Sequence, residues 1–229
     1  MRIAENAAML ELARPNGAIY PTLAWDENSL VLIDAGFPGQ AEALTAAVAA
    51  EGFRAEGITH IVLTHQDIDH IGCLRDVLRL APAAWVIAHA EEAPYIDGRR
   101  TPIKLAAMLE AYDRLPEETK RFCDQLQAGF ANRRTAISQE VEDGEILSIA
   151  GGMEVVHTPG HTPGHIALFL RQSKIMVAGD AANIAGGKLT GPNSQHTYDM
   201  EQGKESFKKL EAYNCCGVVA YHGGFLDMQ

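Results

Sequence analysis

Short apolar runs recur along the chain, and glycine, proline or a polar cluster closes each one. Met9 to Leu12, Ala18 to Trp25 and Ser29 to Ile33 predict strands, divided by Pro15-Asn16-Gly17 and Asp26-Glu27-Asn28. The Ala-rich segment Gln40 to Glu51 predicts a helix that stops at Gly52. Ile58 to Leu63 reads as a buried strand, Gly72 to Leu80 as a helix and Ala84 to Ala88 as a strand. Residues 91–135 change character: they are more charged, carry Pro94, Pro102 and Pro116, and predict two or three helices without a strand. That segment reads either as a helical insertion that covers an active site or as a plain helical connection. Strand signals return at Glu145 to Ile149, Met153 to His157, Ile166 to Leu170 and Lys174 to Ala178. A glycine-rich loop follows at Gly186 to Pro192, then a helix over Asp199 to Ala212 and a last strand over Gly217 to Tyr221. Strands cluster in both halves and helices follow them. This predicts two sheets packed face to face with helices outside, within one domain spanning 1–229.

Composition narrows the class. A chain of 229 residues with 47% hydrophobic residues can bury one sizeable α/β core. The formal net charge of −11 disfavours nucleic acid and anionic membrane as partners and leaves a small-molecule substrate. The pairs Arg99-Arg100 and Arg133-Arg134 read as solvated surface. Cys73, Cys123, Cys215 and Cys216 form no C-x-x-C pair and read as reduced thiols of a cytoplasmic protein. The start, MRIAENAAMLEL, lacks a basic segment followed by an apolar one, and no apolar run approaches a membrane span. Nothing in the sequence decides between a monomer and a homodimer.

Candidate chemistry sits in four loops, each after an apolar strand. The first is THQDIDH, with His65, Asp67, Asp69 and His70. The second is HTPGHTPGH, with His161 between His157 and His165. The third is Asp180 in IMVAGDAAN, and the fourth is His222 in VVAYHGG. Imidazole and carboxylate are ligands for Zn, Fe or Mn. A loop leaving a rigid strand end holds such groups at fixed positions. The close spacing within THQDIDH suits side chains on two sides of one cavity, as two divalent ions about 3.5–4 Å apart require.

In this order THQDIDH, TPGHTPGH, AGDA and YHGG resemble the metallo-β-lactamase superfamily, whose first motif is H-x-H-x-D-H. The resemblance covers nearly the whole chain. It implies an α/β (α+β) fold, a four-layered αββα sandwich with metals at one end of the two sheets. Carried over by position, His65 and His161 bind the first metal, Asp69, His70 and His222 the second, and Asp180 bridges both. The match selects His161 from its loop. His165 is left to hydrogen-bond within the fold or to orient a ligand, and His157 to end a strand. The departure is Asp67, where the family pattern has His. As a direct ligand it gives a harder, more anionic set that tilts selectivity toward Fe or Mn without excluding Zn. Flavodiiron proteins are similar in carrying Glu there and using iron.

The implied activity is a dinuclear metallo-hydrolase. A metal-bound hydroxide attacks an ester, thioester or lactone, and Asp69 orients the hydroxide or shuttles its proton. The compact size and TPGHTPGH loop resemble the glyoxalase II and acyl-homoserine-lactonase branches. Asp67 keeps open a second reading, a non-haem iron or di-iron redox protein that reduces oxygen or oxidises a thiol or persulfide. A third is a binding protein on a degraded metal site. His196 and Tyr221 are the candidate substrate contacts. Asp34 is expected to buttress the metal loop, Cys73 to be a small buried hydrophobe, and His60 and His89 to be ordinary.

Overall fold

A computed structural model describes residues 1–228. One sheet has seven strands in the spatial order Arg2–Ala4, Ala7–Met9, Thr22–Trp25, Leu30–Ile33, His60–Leu63, Trp85–His89 and Gln139–Val141. Its last four strands are parallel. The other has six strands, Ile146–Leu147, Met153–His157, Ile166–Leu170, Ile175–Val177, Gly217–Ala220 and Gly224–Asp227. Only Ile175–Val177 and Gly217–Ala220 run parallel within it. The helices are α1 (Ala41–Ala50), α2 (Ile68–Ile71), α3 (Leu74–Leu80), α4 (Ala93–Ile96), α5 (Ile103–Glu110), α6 (Glu117–Ala131) and α7 (Met200–Glu211).

Strand alternation produces the layers. Successive side chains on a strand point to opposite faces, so one buried strand can serve two cores. Val31, Ile33 and Val62 of the first sheet meet Val155, Leu168 and Val177 of the second in the central core. Their neighbours Leu32, Ile61 and Leu63 face outward and pack under Leu44 and Val48 of α1 and Leu74 and Val77 of α3. On the far side Val156, Met176 and Val218 pack under Leu210 of α7. The result is the expected αββα sandwich.

Several boundaries differ from the sequence reading. The run Met9 to Leu12 is divided between Ala7–Met9 in the large sheet and Leu12–Arg14, which pairs with Gly17–Ile19 in a separate hairpin. The glycine-rich stretch is no open loop. Asn183–Ala185 pairs with Lys188–Thr190, and Gly186 and Gly187 at φ 58° and 72° form the turn. Two consecutive positive φ values are what a tight hairpin of this twist requires, and glycine supplies them. The helix predicted over Gly72 to Leu80 is α3, which begins at Leu74, and the loop read before it holds one short helical turn, α2. Gly224–Asp227 adds an edge strand beyond the last predicted one. Residues 91–135 hold α4, α5 and α6 and no strand; α5 packs on α6, and α6 reaches α2.

Candidate metal centre

Strand register brings the four loops together. Val177 pairs with Val219 in parallel, and Asp180 and His222 each lie three residues beyond. Ile33 pairs with Val62 in the other sheet, which sets Asp34 beside Thr64 and His65. All these side chains therefore emerge at one end of the sandwich. Ligand-type atoms of His65, His161 and Asp180 lie within 4.8 Å of one another, as do those of Asp69, His70 and His222. Asp180 faces both groups: its Oδ1 is 3.5 Å from His70 Nε2, and its Oδ2 is 3.4 Å from His161 Nε2 and 3.3 Å from His222 Nε2. Asp67 joins the first group, with Oδ2 3.0 Å from His161 Nε2 and 3.3 Å from His65 Nε2. Asp69 Oδ2 is 3.3 Å from His222 Nε2.

The imidazoles are held from behind. Asp34 is buried at φ 61°, a backbone conformation that non-glycine residues seldom adopt. Its Oδ2 accepts a hydrogen bond from His70 Nδ1 at 2.8 Å, and its Oδ1 accepts from Thr64 N at 2.9 Å. The Thr64 hydroxyl donates to Asp34 and sits 3.0 Å from His65 Nδ1. Both rings thus use Nδ1 in the scaffold and turn Nε2 toward the cluster. His165 is committed on both nitrogens: Nδ1 meets Thr158 Oγ1 at 2.8 Å, and Nε2 accepts Asp180 N at 3.0 Å. It anchors the Asp180 loop and has no lone pair left for a metal. Gly179, at φ 53°, lets that loop pass so close that a Cβ would stand 2.7 Å from His165 Nε2.

Charges within the cluster divide unevenly. Burial, reinforced by the neighbouring His70, pushes His65 down to about 4, so it is neutral at pH 7. Burial opposes a charge on His70 as well, but Asp34, Asp69 and Asp180 outweigh it and hold His70 well above the usual range. The same contest leaves His222 at about 9, with Asp180 and Asp69 as its partners. Burial would raise Asp180, but His161 and His70 hold it well below the usual carboxylate range.

The donor set fits divalent metal. His65 Nε2, His70 Nε2 and Asp180 Oδ1 are buried, lack a hydrogen-bond partner and face one another. An unsatisfied buried polar atom costs about 1–3 kcal/mol, which an ion bound by these atoms would offset. A divalent ion would also displace the protons on His70 and His222.

The cluster forms the floor of a cavity of about 530 Å³. Phe37, Ile68, Leu105, Met108, Phe122 and Phe130 form an apolar wall, most of it from α5 and α6. Asn183, Asn193 and His196 line it as well, and Arg14 and Lys104 are its cations. Of the two candidate substrate contacts, His196 lines the cavity. Tyr221 does not: it is buried under the floor, donates to the Asp69 carbonyl oxygen at 2.5 Å and packs on the His70 ring at 3.8 Å between centroids. Cys73 is buried, as expected, and burial pushes its thiol up to about 11. His60 meets Thr59, and His89 stacks on His157 outside the cluster.

Two residues carry no sequence signal and are nonetheless part of the site. Glu92 is fully buried, and burial raises its carboxyl above the usual range. Its Oε2 accepts Gln66 N and Gln66 Nε2 at 2.9 Å each, and its Oε1 accepts Gly164 N at 2.9 Å. It ties the His65 loop to the His161 loop. Lys104, the second residue of α5, places its ammonium against Asp67 and 3.1 Å from His161 Nε2. Each sits in a charged stretch where spacing marks nothing.

Comparison with known proteins matches residues 14–215 to the model of the metallo-beta-lactamase superfamily. A probable metallo-hydrolase of Bacillus subtilis, YflN, is 31% identical over 221 residues, which cover 86% of this chain and 76% of YflN. The hydroxyacylglutathione hydrolase GloC of Haemophilus influenzae is 27% identical, covering 89% of this chain and 85% of GloC. A crystal structure of a metallo-beta-lactamase family protein from Thermus thermophilus superposes with a TM-score of 0.74 at 25% identity, covering 99% of this chain and 76% of that one.

Proposed function

The chain belongs to the metallo-beta-lactamase superfamily and is a metallo-hydrolase, and from that premise we propose that it hydrolyses a small ester, thioester or lactone with an apolar acyl group. One observation carries the reading: an imidazole and carboxylate floor shares a cavity with an apolar wall large enough for an acyl chain. Similarity to a hydroxyacylglutathione hydrolase supports the thioester end of the range.

Asp69, His70 and His222 with Asp180 would hold divalent metal, and His65 and His161 face them from the other half of the site. Such an ion acidifies water and polarises a carbonyl oxygen when bound. The rest falls to the chain itself. Asp69 turns a carboxylate toward the cavity, where it can orient a water and accept its proton. Lys104 presents a cation to the cavity where an oxyanion would develop. Phe37, Leu105, Met108 and Phe130 keep water from the acyl chain, which strengthens each of those electrostatic contacts. His196, Asn183 and Asn193 stand where a polar leaving group would lie. We assign α4 to α6 the part of a lid.

The test is a panel of aryl esters, acyl thioesters and acyl lactones of increasing chain length, with chelated protein as the blank. Turnover of at least one class is expected. It should rise with chain length, disappear on chelation and return with added divalent ion. Turnover of none of them, or turnover indifferent to chelation, removes this reading.

A further inference from the structure

Asp67 stands where the family motif has histidine, and Lys104 explains what a carboxylate does there. The ammonium pairs with Asp67 Oδ2 and lies 3.1 Å from His161 Nε2. We propose that this ammonium is the resident cation of the half of the site formed by His65, Asp67 and His161. The chain then takes one divalent ion, in the half formed by Asp69, His70 and His222 with Asp180. This inference rests on the metal-dependent reading above.

Crowding is the first argument. Asp67 Oδ2 lies 3.0 Å from His161 Nε2, and the Lys104 ammonium sits against that same oxygen and 3.1 Å from that same nitrogen. The ammonium and a first-half metal ion would take the same place between Asp67 and His161, where two cations repel, so the two exclude each other. They compete for Asp67 too, since the ammonium holds the oxygen that faces both His65 and His161.

The placement of the lysine is the second argument. Lys104 is no loose surface side chain. The amide of the preceding residue, Ile103 N, donates to Gln66 Oε1 at 2.8 Å, and Gln66 is fixed in turn by Glu92. The start of α5 is thereby fastened to the residue before Asp67. The side chain is 39% exposed, so its ammonium also faces the cavity.

The other half of the site is the third argument. Among the described residues no lysine or arginine pairs with Asp69 or Asp180. Their partners are histidines, which can themselves offer a nitrogen to a metal. An ammonium has no lone pair to offer and stands in the way of one. The carboxylate at position 67 thus adds a negative charge, and Lys104 neutralises it without metal.

The experiment is a cobalt(II) titration followed by visible absorption, with elemental analysis after exhaustive dialysis. It uses the full chain and the Lys104→Met and Lys104→Gln variants. The wild type should retain one ion per chain and both variants two, with first-half affinity raised at least about tenfold. His222→Ala should remove the wild-type ion, and His161→Ala should leave it. A variant count and affinity equal to wild type, at either one or two ions, overturns the proposal. So does loss of the wild-type ion in His161→Ala alone. Circular dichroism on the neutral variants checks that they fold, as a half-exposed position on the second residue of a helix should allow. If no form binds an ion, the metallo-hydrolase reading fails as well, an outcome distinct from a missing Lys104 effect.

Discussion

The cavity has a floor and a wall built on opposite principles. The floor is carried by loops that leave the ends of buried strands, His65 after His60–Leu63, Asp180 after Ile175–Val177 and His222 after Gly217–Ala220, with Asp69 and His70 on the short α2 just beyond the first. Neighbours lock parts of it from behind, His70 by Asp34 and the Asp180 loop by His165. The wall comes from α5 and α6, where Leu105 and Cys123 are the only buried residues and Phe122 is 54% exposed. A floor built this way defines chemistry, because its atoms cannot move without moving the sheets. A wall on half-exposed helices defines fit, and its residues are exchangeable by comparison. Substitutions in the two regions should therefore differ in kind as well as in size.

The floor should give the largest effect. Asp180 is the one side chain that faces both groups of histidines. Asp180→Ala should lower kcat/KM by about a thousandfold, the several kcal/mol that lost metal-assisted charge stabilisation represents, and reduce bound metal. Activity and metal content near wild type would mean that the floor is not the reacting surface. Glu92 tests where floor meets wall, since it precedes α4 and binds both metal-candidate loops. Glu92→Ala leaves the Gln66 and Gly164 amides unpaired in a buried site. It should destabilise the protein by about 3 kcal/mol, read from urea or thermal unfolding. A change under about 1 kcal/mol would show that the loops hold their positions without it.

Asp34→Ala comes next. It removes the acceptor that orients His70 through Nδ1, as groups behind a metal ligand commonly do. Metal affinity or activity should fall about 10–100-fold with the fold retained. Unchanged affinity would show that Thr64 and the Tyr221 ring hold His70 alone.

The same contrast explains what is legible in the sequence. His65, His70, His161, Asp180 and His222 are readable because strand-end loops with fixed spacing carry them, and the register of parallel strands needs no knowledge of side-chain packing. The unbroken apolar runs at Val31 to Ile33 and Val155-Val156 announce a chain buried on both faces. Lys104 and Glu92 leave no trace. Their importance depends on where α4 and α5 dock, and nothing in RTPIKL or EEAPYI distinguishes a docked charge from a solvated one. Asp67 is visible as a departure, but its partner lies 37 residues away on another element. Tyr221 departs from expectation for a related reason. It lies beside His222 in the turn after Gly217–Ala220, and only the docking of its ring on His70 and its hydroxyl on the Asp69 carbonyl puts it beneath the floor. The glycine hairpin at Gly186-Gly187 has the residues of a tight turn, but no hydrophobic alternation flanks it.

The smallest effect should come from the wall, and it sharpens the comparison most. Phe122 lines the cavity yet is more than half exposed, so its removal uncovers little core. Phe122→Ala should leave metal content and unfolding unchanged and alter kcat/KM by less than about tenfold, the effect of roughly 1 kcal/mol of apolar contact. That loss should fall mainly in KM and grow with acyl chain length. Contact made equally in the ground and transition states changes binding without changing kcat. If Phe122→Ala instead lowered kcat equally for short and long acyl chains, the wall would be shaping the reaction itself, and the division between a chemical floor and a fitting wall would not hold.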